Sequence, residues 1–129
     1  MTDGIEAVTT AALGLALDAS ALRQQAIAAN IANANVSGYM PVTVDFEQQL
    51  GAARETLDGG ARLDAWTLAD VAPRLQEVGV DPAVGLPPKV LLDMEVAHLA
   101  ENGVHFQALT TGLSKHFAIL ALAAADGQR

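Results

Sequence analysis

Residues 28–39 read Ala28-Ala29-Asn30-Ile31-Ala32-Asn33-Ala34-Asn35-Val36-Ser37-Gly38-Tyr39, an Ala-rich apolar run that stops abruptly. Upstream the apolar residues follow a helical period. Downstream the sequence turns β-branched and is punctuated by Pro and Gly. Asparagine tolerates left-handed backbone, and its amide can bond the main-chain groups that a helix end leaves unpaired. Gly38 takes positive φ without steric cost. These residue types alone describe a helix C-terminus followed by a turn.

Working outward, residues from about Ile5 to Asn33 read as one helix. Val8, Leu15, Leu22 and Ala29 recur every seven residues, and Ala12, Ala19 and Ala26 fall four after the first three. That is an apolar stripe along one face. Thr2 or Asp3 is placed to cap its start, and Glu6 suits the positive end of the helix dipole. Gly14 costs about 1 kcal/mol relative to alanine. Such a helix needs a partner.

Leu91 or Leu92 opens a second long helix that runs to about Ala124. Leu92, Leu99, Phe106, Leu113 and Leu120 form an unbroken seven-residue column, with Val96, Phe117 and Ala124 four residues after three of them and Leu109 at i+3. Roughly 33 residues at about 1.5 Å each span about 50 Å, long for a globule of this size. The first helix is its natural mate, in antiparallel fashion. Leu13, Leu17, Ile27 and Leu122 lie outside the main stripes and predict a second apolar face, one that neighbouring chains would cover.

Between the helices, Gly51, Gly59, Gly60, Gly79 and Gly85 and all five prolines break any long period. Val42-Thr43-Val44 reads as a short extended piece and Phe46 to Arg54 as a helical turn or two. Ala65 to Val71 and Leu75 to Val80 read equally as short strands or short helices. Residues 40–89 carry eight acids against four bases, which predicts a solvated excursion from the helical pair. The expected fold is therefore mainly α: two long terminal helices pairing as an antiparallel coiled-coil-like hairpin, with an irregular middle that has room for a little β structure. Its parts are residues 1–39, 40–90 and 91–129, the two termini forming one structural domain.

Composition narrows the function. The 129 residues are 51% apolar but only 4% aromatic, so each buried position is small. A net charge of −8 with seven Lys and Arg argues against a nucleic-acid partner. With no cysteine there is no disulfide, thiolate chemistry or Cys-based zinc site. No stretch reaches the roughly 18 uninterrupted apolar residues of a membrane span. The N-terminus lacks a basic region followed by an apolar core and cleavage site, so the expectation is a cytoplasmic chain, or one exported by another route.

His98, Glu101 and His105 share a helix face, but their spacing is not that of a zincin, and the adjoining Leu99 and Phe106 make them flanks of a packed seam. Ser20, Ser37 and Ser114 lack a nucleophile elbow, and Gly59-Gly60 lacks the surroundings of a phosphate loop. The residues predict no enzyme, no cofactor and no metal.

Residues 28–39 also resemble the ANNLANxNTPGY signature of the flagellar rod, hook and hook-associated family. Val44-Asp45-Phe46-Glu47 is similar to the short acidic-aromatic piece that follows it there. Val36-Ser37 stands where that family usually has Thr-Pro, and without the proline a fixed φ is lost, so a less rigid turn is expected. On the second helix, Asp93-Met94-Glu95-Val96, Glu101-Asn102, Phe106-Gln107-Ala108-Leu109 and Leu113-Ser114-Lys115 resemble the C-terminal signature of the family's proximal-rod members. Phe106 takes a place where tyrosine is common. The resemblance implies a structural subunit of the basal-body rod in the periplasm, exported through the flagellar type III channel without a cleaved signal peptide. It implies partners in further copies of itself, other rod proteins, the export gate and basal-body components, with no nucleic acid and no membrane span of its own. The residues expected to carry packing are Val8, Leu15, Leu22, Asn30, Asn33, Gly38, Tyr39, Leu92, Leu99, Phe106, Leu113, Phe117 and Leu120. Another rod subunit, or a helical-hairpin adaptor or secretion chaperone, are the alternatives.

Overall fold

The computed structural model describes residues 2–58 and 65–127. Gly59-Gly60, Arg62 and Asp64 lie outside the described residues, as do the side chains of the two expected caps, Thr2 and Asp3. In chain order the elements are α1 (Thr2–Ala32), β1 (Val42–Asp45), α2 (Glu47–Asp58), α3 (Ala65–Ala69), β2 (Arg74–Glu77) and α4 (Leu92–Asp126).

The two long helices pack against each other. Thr10 meets His116, Ser20 meets Asn102 and Asn30 meets Glu95, so the chain positions run in opposite directions along the pair. β1 and β2 form a two-stranded antiparallel sheet in which Val42 stands opposite Glu77 and Asp45 opposite Arg74. Ala65–Ala69 is helical and Arg74–Glu77 is a strand, which decides the two stretches that periodicity left open.

The middle does more than emerge into solvent. Val44, Phe46, Leu68 and Val71 are buried, as are Ala19, Ala26 and Ile27 of α1. Ala19, Ala26, Val44, Phe46 and Val71 make one cluster, with Leu15, Leu22, Val42 and Ala53 packed against it. The excursion expected from charge is thus a folded cap on α1, because its few large apolar side chains need the alanine face to leave water. Gln49 fastens the cap from within: its amide donates to the Asp45 carbonyl at 3.1 Å and its oxygen accepts from the Ala72 N–H at 3.0 Å.

This cap redirects the seven-residue column of α1. Leu15 and Leu22 face the cap, whereas α4 is met by Thr10, Ser20, Gln24 and Asn30 on another side of the helix. Positions 15, 19, 22 and 26 follow the i, i+4, i+7, i+11 rule of one helical stripe, and the small alanines let the cap approach closely. By length and composition both Gly4–Ala32 and Leu92–Asp126 are apolar enough to cross a membrane, although neither is an uninterrupted apolar run.

Candidate assembly interface

Three features carry the arrangement. The first is the junction at the end of α1. Asn33 closes the helix, its main-chain N–H donating to the Ala29 carbonyl at 3.1 Å and its side-chain amide to the same oxygen at 2.8 Å. The Val36 N–H donates to the Asn33 carbonyl at 2.9 Å, and Gly38 then turns the chain at φ +75°. Beyond it, β1 returns alongside Asn30.

Asn30 is buried, and its side chain behaves as a missing strand. The amide donates to the Val42 carbonyl at 3.0 Å, and the Val42 N–H donates back to Oδ1 at 2.9 Å. That is the two-way exchange of an antiparallel pair, made by a side-chain amide of the same chemistry as a peptide group. Oδ1 also accepts from the Tyr39 hydroxyl at 3.1 Å, and Nδ2 reaches Glu95 Oε2 on α4 at 3.3 Å. One asparagine therefore joins α1, the turn, β1 and α4. Asn35 is exposed in the turn.

The second feature is a polar latch halfway along the helical pair. The Ser20 hydroxyl donates to Asn102 Oδ1 at 3.0 Å, and Asn102 Nδ2 donates to the Ser20 carbonyl at 2.9 Å and to Gln24 Oε1 at 3.2 Å. Asn102 is the buried residue of α4, and Ser20 is 1% exposed. Both amide ends are satisfied, so burial carries no orphaned group. Neither residue stands out in a reading of apolar columns. The available signal was a polar residue three after Leu99 and four before Phe106, on the face meant to be dry.

The third feature is what α4 leaves uncovered. Leu99, Leu109, Leu113 and Leu120 are half-buried along the pair, as are Val8, Leu13 and Leu17 on α1. Leu92 and Phe106 are 45% exposed and Phe117 50%, while Val104, Ile119 and Leu122 stand out at 64–69%. At the turn end, Val84, Leu86 and Leu91 add further exposed apolar area. So much large apolar surface on one small chain marks an interaction surface.

His98, Glu101 and His105 line an open groove between α4 and β1, joined by Arg23, Glu47 and Glu95. Arg23 pairs with Glu47 and lies 6.0 Å from the Phe46 ring centre. His98 Nδ1 is 4.0 Å from Glu95 Oε1. Among the described residues no three His, Asp or Glu side chains are grouped to hold a metal ion.

Residues 13–39 match the family model described as Flagella basal body rod protein. No curated protein matches the chain. The matched stretch holds Leu15, Ala19, Ser20, Leu22, Ala26, Asn30, Asn33, Gly38 and Tyr39, the α1 side of the cap, the latch and the junction. Over these 27 of 129 residues the chain is similar to flagellar basal-body rod proteins.

Proposed function

We propose that the chain is a structural subunit of the proximal part of the flagellar rod, of the FlgB kind, rather than a more distal rod subunit. The observation that carries this reading is that the matched stretch ends in the Asn30 junction, where one side chain joins both long helices to β1. The C-terminal resemblance, with Glu101-Asn102 and Phe106-Gln107-Ala108-Leu109 on α4, favours the proximal members.

In this reading the paired helices pack with further copies and with other rod proteins, and the exposed side of α4 is the surface that those neighbours cover. Non-closing head-to-tail contacts of this type generate helical assemblies. The same tube forms part of the export-channel wall, meets the export gate at its base and lies in the periplasm, reached through the flagellar export route without a cleaved signal peptide. Residues 1–39 and 91–129 act together as the axial unit and 40–90 as its cap. The long helices serve neighbours instead of lipid: Asp18, Arg23, Glu101 and Lys115 would each cost about 2.5–3.5 kcal/mol near a bilayer centre. No cofactor, metal or catalytic step enters the role.

A strain lacking the gene, complemented with a tagged copy, tests it. The expected result is loss of motility and of assembled rods on deletion, with the tagged chain recovered in purified basal bodies. A tagged chain that stays cytoplasmic, bound to an export substrate, would support the secretion-chaperone reading instead.

A further inference from the structure

β1 leaves one edge open towards α4. The Pro41 carbonyl accepts from the Val78 N–H at 2.7 Å, and Thr43 and Asp45 stand opposite Gln76 and Arg74. Alternation along the ladder turns the main-chain groups of Val42 and Val44 away from β2. Asn30 takes both groups of Val42, while those of Val44 have no partner among the described residues. Beside them lies the open groove, about 460 Å³ in volume. Its walls carry Glu47, Glu95 and Glu101 against a single guanidinium, Arg23, which Glu47 already engages. An open strand edge beside carboxylates suits an extended segment bearing a cation.

The chain itself holds such a segment. Leu86-Pro87-Pro88-Lys89-Val90-Leu91 carries no helix or strand, and its two prolines favour extended backbone. Leu91 is extended at φ −98°, ψ 106°, and Leu86, Lys89 and Leu91 are exposed. Arg54, Arg74 and Lys115 sit on regular elements, so Lys89 is the basic residue on a free extended stretch among the described residues. Within its own chain the strap lies beside the Asn33–Tyr39 turn.

We propose that the Leu86–Leu91 strap of a second copy docks in this groove, adding main-chain bonds to Val44 and setting Lys89 against Glu95 and Glu101. Strap and groove are different surfaces, so the contact is heterologous and repeats from copy to copy. It rests on the reading of the chain as a repeating rod subunit, and it names the contact that would join one copy to the next.

Because the natural chain has no cysteine, engineered ones report cleanly. Full-length Val90→Cys and His105→Cys chains, which keep Lys89, Glu95 and Glu101, are mixed and treated with a short bis-maleimide and are expected to give a mixed dimer. Its yield should fall about tenfold when Glu95→Lys is added to the groove chain, the equivalent of about 1.4 kcal/mol, and fall again at high salt. A Lys89→Glu chain, cross-linked through Val90→Cys, should dock poorly on the natural groove and recover on the Glu95→Lys groove. A Val90→Cys/His105→Cys chain whose cross-links stay within one chain as its concentration is raised would overturn the proposal, as would a yield indifferent to charge. So would a His105→Cys groove that captures a different basal-body protein. Recovery of the chain in basal bodies without this cross-link would sink the strap contact and leave the rod reading standing; the cross-link in solution without recovery would do the reverse.

Discussion

Replacing Asn30 with alanine removes in one step the acceptor for the Val42 N–H, the donor to the Val42 carbonyl and the partners of Tyr39 and Glu95. Buried polar groups left unpaired cost about 1–3 kcal/mol each, so Asn30→Ala should lower stability by about 2–4 kcal/mol in urea titrations. Asn30→Asp keeps the shape but loses the donor and sets a carboxylate beside Glu95, and should be at least as damaging. At Gly38 the cost is conformational only, because a Cβ there meets nothing within 4 Å. Gly38→Ala at φ +75° should cost about 1–2 kcal/mol. Gly38→Asn should cost less, since asparagine accepts left-handed backbone. Equal losses for Ala and Asn would show that the turn is not held by its backbone angle.

The helical pair is set in register by polar contacts at three levels, with Ser20–Asn102 the buried one. A buried asparagine in a helical seam trades stability for register. Asn102→Ala should destabilise by about 1–3 kcal/mol through the orphaned Ser20 hydroxyl. Asn102→Leu with Ser20→Ala should regain much of that loss while letting α4 slide. Thr10→Cys and His116→Cys, joined by a short cross-linker, report the slide as a lower yield, with a gain for a pair one turn away. Unchanged yields would place the register elsewhere. The long elements and their pairing were legible because apolar residues recur over many turns. The destination of Leu15 and Leu22 was not, because a seven-residue column identifies an apolar face without naming what covers it. Within the cap, β1 and α2 were legible as an extended piece and a helical turn or two, whereas Ala65–Ala69 and Arg74–Glu77 stayed open between strand and helix because so few residues do not define a period.

For the whole molecule, the buried apolar residues lie on α1 and the cap, and α4 contributes a single buried side chain, Asn102. Alanine supplies much of the core, and each such position gives less than the about 1.5–3 kcal/mol of a buried Leu or Phe. In dilute monomer, amide exchange should be slowest around residues 19–30 and 42–46 and fast along α4 beyond Gly112. Assembly should slow it along both helices. Strong protection across Val8–Ala29 and Leu92–Leu120 in a proven monomer would show a self-sufficient hairpin. The Asn30 junction was legible as a cluster of special residues, and the resemblance gave it a context. Its mechanism, an amide standing in for a strand, needed the fold, because Val42 is twelve residues away. The central claim is that this pair of helices, fastened at that junction, is a building unit of the rod. Cryo-electron microscopy of isolated basal bodies tests it most directly. The account predicts density for α1 and α4 side by side in the proximal rod wall, Asn30 against Val42, and Phe106, Phe117 and Leu122 buried by neighbouring subunits. A rod traced in full without this chain, or with α1 and α4 separated, would contradict it.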